Sequence, residues 1–209
     1  MRITNDDLSR QAYRQVKRMI VSKKLAPGQK IVQEQLADKL GISRTPLRSA
    51  LQMLEAESLI ESIPRKGVIV REFDNTEIIE IYDCRVALEG TAVRLFAERA
   101  TTQEVDKLES YFADFTPGNV DKDTYQKADM NFHDFIVKHC GNHFLSDLFR
   151  KGNLLVCIDL IGLVRPPEET LQEHRDILAA IRAKDGRLAE TRMREHLDKS
   201  KELLANTGK

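Results

Sequence analysis

The sequence predicts a mainly α-helical protein in two parts: a winged helix-turn-helix over residues 1–72, then an all-α helical bundle over residues 73–209. Three observations predict it. A short amphipathic segment, a glycine and a second amphipathic segment follow one another between Gln33 and Glu57. Two short β-rich runs then flank the basic turn Pro64-Arg65-Lys66-Gly67. From Asp74 onward, apolar residues recur only at helical spacing between turn residues.

The elements follow in order. Leu8, Ala12, Val16, Met19 and Ile20 predict a helix over 7–23, ended by Ala26-Pro27-Gly28. Leu36, Ala37 and Leu40 predict a helix over 33–40, stopped by Gly41, which adopts a left-handed cap at little cost. In Ile42-Ser43-Arg44-Thr45-Pro46, Thr45 reads as an N-cap and Pro46 as the first helical residue. That helix runs to Glu57 and buries Leu47, Leu51 and Leu54. Residues 59–63 and 68–71 predict a hairpin with its turn at Pro64–Gly67. Six further helices are expected at 75–99, 102–114, 121–139, 143–163, 168–183 and 186–205.

The charge balance divides at the same boundary. The chain has 33 Lys and Arg and 33 Asp and Glu, for no net charge. Residues 1–72 hold 14 basic against 8 acidic residues, a net of +6, so the remainder carries −6. Such asymmetry indicates two parts with different partners. No apolar run is long enough to span a bilayer, and the start has no apolar signal region, so no membrane association is expected. Cys84, Cys140 and Cys157 form no disulfide framework or metal knuckle. They read as buried small hydrophobes in a reducing cytoplasm.

The first part carries the chemistry of a double-stranded DNA reader. Arg44 precedes the second helix of the helix-turn-helix, and Arg48 lies in its first turn, the end that meets base edges. Arginine bonds guanine O6 and N7 together. Thr45 and the free N–H groups of that turn suit a phosphate. Arg65, Lys66 and Gly67 form the wing tip, which suits the minor groove. The competing reading is a helical and β-hairpin module for protein contacts, with both arginines simply solvated.

In the second part, polar residues interrupt apolar stripes. Arg85 and Glu89 fall on the stripe of Ile78, Ile81, Tyr82, Leu88, Ala92 and Phe96. Asp129 and His133 fall on or beside that of Tyr125, Ala128, Phe132 and Ile136. His174 lies among Leu171, Leu178 and Ile181, and His196 among Met193, Leu197 and Leu203. Burying such groups without partners is costly, and a shared ligand resolves the cost. Asp129 and His133 are one helical turn apart, with Cβ atoms about 5–6 Å apart. One carboxylate and three imidazoles suit a divalent transition metal: zinc first, with nickel, manganese or iron as alternatives. Open metal positions then accept a small carboxylate, which Arg85 grips bidentately. Otherwise each histidine is satisfied separately. His139 and His143 lie off these stripes, near Gly141.

Two resemblances bear on these readings. Pro27-Gly28, Leu36-Ala37, the run Leu40–Arg48, Ala50-Leu51, Leu54-Glu55 and Arg65-Lys66-Gly67 resemble the winged helix-turn-helix of GntR-family bacterial transcription regulators. The resemblance implies that Arg44 and Arg48 read bases and that the wing tip near Gly67 touches the minor groove. Ser49, Gln33 and Ser58 depart from the frequent Glu, Glu and Gly. Arg85 with Leu88-Glu89, Asp129 with Phe132-His133, Gly141-Asn142, Glu173-His174 with Ile177-Leu178, and Met193 with His196-Leu197 resemble the FCD-type ligand-binding domain of the FadR branch. That likeness implies that Asp129, His133, His174 and His196 hold the metal. It implies a small organic-acid or sugar-acid effector rather than a fatty acyl-CoA.

The expected protein is a DNA-binding regulator, a repressor by family habit. It would act as a homodimer on a short pseudo-palindromic operator, since twofold protein symmetry mirrors operator symmetry. The alternative is a metal-dependent hydrolase or lyase carrying a DNA-binding module. Against it, the sequence has no HExxH, no Ser/His/Asp spacing and no phosphate-cradling glycine loop. No catalytic residue is assigned, and the chain is not expected to be an enzyme.

Overall fold

The computed structural model describes residues 5–116, 118, 120–152, 154, 157 and 161–207. They form two compact units, Met1–Glu72 and Phe73–Lys209.

The first unit contains α1 (Asn5–Val21), α2 (Gln33–Leu40), α3 (Arg44–Ala56), β1 (Ile60–Ile63) and β2 (Gly67–Val70). The apolar faces of the three helices meet in a core that includes Val16, Ile20, Leu36, Leu47, Leu51 and Leu54. Tyr13 and Lys17 of α1 both donate to Glu57, at 2.6 and 2.7 Å, and pin α1 to the end of α3. Gly41, with φ +65°, closes α2, and its N–H reaches the Asp38 carbonyl at 3.1 Å. Three residues therefore turn the chain from α2 into α3.

Here the expected cap is corrected. Ser43, in extended conformation, is the N-cap of α3, not Thr45, and Arg44 is its first residue. Pro46 is accommodated in the first turn, where its missing N–H has no intrahelical partner to lose.

In the wing, Ile60 pairs with Val70 and Ile63 with Gly67 in antiparallel register. Gly67 thus opens β2 rather than ending the turn. Sequence patterning missed a further pairing: Ile31 N–H donates to Val68 O at 2.8 Å, and Val70 N–H to Gln29 O at 2.9 Å. Residues 28–31, which follow the turn signal that ends α1, therefore line the other edge of β2.

Ser58 stands where the resemblance expects glycine, and its φ is +57°. The Leu59 N–H bonds back to Leu54 O at 3.0 Å, so the backbone needs this left-handed turn to leave α3. A side chain there costs roughly 1–2 kcal/mol, partly offset by the extra chain entropy of glycine. Ser58→Gly is expected to stabilise the first unit by about 0.5–1 kcal/mol. The urea midpoint of the full chain, followed by a probe in that unit, should rise; an unchanged or lower midpoint would show that Ser58 holds no strain.

The second unit contains α4 (Asn75–Arg99), α5 (Thr102–Ser110), α6 (Lys122–His139), α7 (His143–Lys151), α8 (Pro167–Arg182) and α9 (Gly186–Thr207). Local chemistry explains the starts. Asp74 with Glu77 and Thr101 with Glu104 form capping boxes. Asp121 and Asn142 cap α6 and α7, Pro167 opens α8, and Asp185 accepts the Leu188 N–H at 2.9 Å. α4 and α9 pack along each other. At Gly186 a Cβ would lie 3.0 Å from the Arg94 carbonyl, so only glycine allows this approach without displacement.

Three expectations are corrected in this unit. Residues 111–114 form a turn, so the helix expected over 102–114 ends at Ser110. Cys84 is exposed, whereas Cys140 and Cys157 are buried as expected. Leu203 is 41% exposed and does not enclose His196. Part of the helix expected over 143–163 falls at residues 153, 155–156 and 158–160, outside the described residues. The core carries a dense set of buried polar groups among its aromatics.

Candidate metal centre and DNA-facing surface

α6, α8 and α9 bring Asp129, His133, His174 and His196 together, with one potential ligand atom of each within 4.8 Å of all the others. All four residues are buried. Their helical positions explain the meeting: Asp129 and His133 share one face of α6, while α8 and α9 each supply one histidine. His174 is wedged between aromatic rings, stacked on Phe112 at 4.5 Å and edge-on to Phe132 at 4.9 Å.

Hydrogen bonds around the cluster assign the imidazole tautomers. His133 Nδ1 bonds the Glu89 carboxylate, and His196 Nδ1 bonds Glu173 at 2.8 Å. A carboxylate only accepts, so each Nδ1 carries the proton. For His174 a chain of bonds gives the same result. Thr170 Oγ1 lies 3.4 Å from the Pro167 carbonyl, which can only accept. Tyr125 Oη must then donate to Thr170, at 2.8 Å. Its oxygen accepts from His174 Nδ1 at 2.9 Å.

The Nε2 atoms of His133 and His174 are therefore left with lone pairs. They lie 3.5 Å from each other, and 3.8 and 3.2 Å from Asp129 Oδ1. Lone pairs converging on a carboxylate in a buried site repel unless a cation lies among them. The donor set fits a divalent transition metal on this ground. Each imidazole also has the outer hydrogen-bond partner that metal-binding histidines use to fix ring orientation.

The electrostatics agree. Burial alone would raise the Glu89 pKa, but the charge of Arg85 and the adjacent, hydrogen-bonded His133 outweigh it and hold it at about 2. Burial also opposes ionisation of Asp129, yet the facing imidazoles of His174, His133 and His196 keep it well below the carboxylate range. Burial, then the neighbouring His174, lowers the His196 pKa to about 3. Burial lowers His174 as well, against the pull of Asp129. Asp129 is thus ionised at neutral pH, while His174 and His196 are neutral, as metal ligation requires.

Arg85 is buried at 2% exposure. Its Nε donates to Glu89 Oε1 at 2.6 Å, and the guanidinium carbon lies 4.9 Å from the centre of the Tyr82 ring. Its terminal nitrogens have no hydrogen-bond partner among the described residues. Arg165 is also buried. It grips Glu173 with both terminal nitrogens and donates to the His196 carbonyl at 3.0 Å and Ser200 Oγ at 3.1 Å. Sequence patterning missed Tyr125, Thr170, Arg165 and Glu173 as supports of the cluster. Tyr125 had a usable signal, since it precedes Asp129 and His133 at successive four-residue steps on α6.

His139 and His143 do not join the cluster. His139 stacks on Phe135 at 4.0 Å and bonds the Phe135 carbonyl, while His143 is exposed.

In the first unit, Arg44, Thr45 and Arg48 are exposed along the first turns of α3. Arg65, Lys66 and Gly67 are exposed at the wing tip. Arg65 takes a left-handed φ of +67° and Gly67 a φ of +90°, closing a tight turn in which Lys66 N–H bonds Ile63 O at 3.1 Å.

Comparison with known proteins identifies both units. Residues 8–70 match the family model of bacterial regulatory proteins of the gntR family, and residues 80–199 match that of the FCD domain. The chain is 30% identical to the HTH-type transcriptional regulator YdhC of Bacillus subtilis, over 93% of this chain and 89% of that protein. It is 27% identical to the HTH-type transcriptional repressor RspR of Escherichia coli, over 94% of this chain and 89% of that one. Among solved structures it resembles E. coli McbR/YncC with a TM-score of 0.77 at 23% identity, covering 97% of this chain and 99% of that one. A GntR regulator from Rhodococcus shares the fold with a TM-score of 0.79 at 19% identity, covering 95% and 97%. These relatives are regulators, not enzymes, and no described helix is long and apolar enough to cross a membrane. The chain belongs to the GntR family of bacterial transcription regulators and carries an FCD domain behind its DNA-binding helix-turn-helix.

Proposed function

We propose that this regulator is a metal-dependent repressor whose operator affinity is set by a small carboxylate. Residues 1–72 bind the operator through Arg44, Thr45 and Arg48 on α3 and through Arg65, Lys66 and Gly67 at the wing tip. Residues 73–209 hold a divalent metal, zinc foremost, on Asp129, His133, His174 and His196. The effector is an organic or sugar acid, with one carboxylate oxygen on the metal and its other contacts on Arg85. The chain acts as a homodimer, so that two recognition helices meet the halves of a pseudo-palindrome. The observation that carries the metal reading is the convergence of imidazole lone pairs on Asp129. The terminal nitrogens of Arg85, unbonded among the described residues, support the carboxylate. The kinship with the E. coli repressor RspR supports repression.

The test measures fluorescence anisotropy of the zinc-loaded chain on DNA from the region upstream of its own gene, across a panel of small carboxylates. One or more acids should lower DNA affinity on the loaded protein and have no effect on chelator-treated protein. Equal responses of loaded and stripped protein would overturn the reading. By linkage, operator DNA must weaken binding of that acid by the same factor.

A further inference from the structure

Glu89 is used twice, and both uses bear on the site. It is fully buried, with 0% exposure. Its Oε1 accepts from Arg85 Nε at 2.6 Å. Its Oε2 accepts from His133 Nδ1. One carboxylate thus joins the arginine of α4 to a histidine of α6 whose opposite nitrogen, Nε2, faces Asp129 and His174.

We propose that Glu89 is a positioning residue that relays charge between Arg85 and the metal centre. The inference rests on the metal-and-carboxylate reading above. Among the described residues, Arg85 shares its charge with Glu89 alone by hydrogen bonding, and its terminal nitrogens are unbonded. A second carboxylate on those nitrogens divides the charge of Arg85 between two anions. Glu89 is then less compensated and pulls harder on the Nδ1 proton of His133. The lone pair on Nε2 becomes more basic and holds the metal more firmly, since outer hydrogen-bond partners tune ligand strength. Metal and carboxylate therefore tighten each other even without the direct bond between them, and the coupling is reciprocal. Burial makes this transfer effective, because charge is poorly screened there and no solvent replaces the partner lost.

A double-mutant cycle on zinc affinity alone tests the relay, using chelator competition on the full chain with no carboxylate probe present. Glu89→Gln should weaken zinc by roughly 10–100-fold, the usual loss for such a partner. Arg85→Gln should tighten zinc several-fold in the native background, because Glu89 is freed from its counter-charge. In the Glu89→Gln background the same Arg85 change should alter zinc affinity by less than about twofold if the two act as one unit. Simple through-space repulsion between Arg85 and the metal predicts the same tightening in both backgrounds, and that result overturns the relay. Where Arg85→Gln does not fold, Arg85→Lys runs the cycle with a smaller expected effect of the same sign, because an ammonium cannot reproduce the guanidinium fork. Absence of zinc binding by the native chain would overturn the metal reading itself; zinc binding with additive single effects would overturn the relay alone.

Discussion

His174→Ala is expected to remove stoichiometric zinc from the protein. The residue offers one of four converging potential ligand atoms and has no exposure to solvent. Loss of an outer partner typically costs 10–100-fold in metal affinity, so loss of a ligand should exceed about 100-fold. Bound metal stabilises the folded state by roughly 2.7 kcal/mol at a hundred times its Kd. For a chain of this size that corresponds to about 5–10 °C in Tm. The substitution also leaves a cavity against Phe112 and Phe132, which lowers stability whether or not metal is present. The decisive quantity is therefore the difference in Tm between zinc-loaded and chelator-treated protein, which cancels the cavity term. That increment should vanish in His174→Ala and persist in His143→Ala, whose histidine is exposed and outside the cluster. Elemental analysis showing full zinc occupancy in His174→Ala would remove His174 from the ligand set.

Parts of this site were legible in the sequence for physical reasons. Asp129 and His133 sit one helical turn apart on an apolar stripe, and a charged pair there demands a partner. The meeting with His174 and His196 is different in kind. No periodicity links residues more than forty positions apart, so the evidence was three separate interruptions of apolar faces plus the family resemblance. The groups that orient the imidazoles were hidden for the same reason. Glu173 is adjacent to His174 in sequence yet serves His196, and Arg165 reaches it from the connection before α8. Arg85 and Cys84 show how hydrophobicity alone misleads. The thiol is exposed and the guanidinium is buried, because Glu89 and the ring of Tyr82 compensate the charge inside. In the first unit, Ser43 and Thr45 are both good caps two residues apart. The register of α3 was settled by where the chain leaves Gly41, not by cap chemistry. The pairing of residues 28–31 with β2 escaped notice because Pro27-Gly28 signals a turn, while the partners that order the strand lie forty residues on.

Arg48→Ala is expected to weaken specific operator binding by roughly 1–3 kcal/mol, about 5- to 150-fold. Arg48 is exposed one turn into α3, so its truncation removes no core contact and should leave the fold intact. Its long side chain and planar fork suit a guanine edge in the major groove. A base-reading arginine and a phosphate-binding one make different demands. Loss of a base contact lowers affinity for the operator far more than for random duplex, and the penalty is concentrated at one base pair. Loss of a phosphate contact weakens both nearly equally and lowers the salt dependence of binding by about one counterion. Arg48→Ala should follow the first pattern. Arg65→Ala and Lys66→Ala at the wing tip face a groove with a degenerate code and should discriminate less. The comparison needs anisotropy titrations of operator and scrambled duplex at several salt concentrations. If Arg48→Ala weakens both duplexes equally, α3 sits on the backbone at that position, and sequence reading must be sought at Arg44 and the remaining exposed residues of the helix.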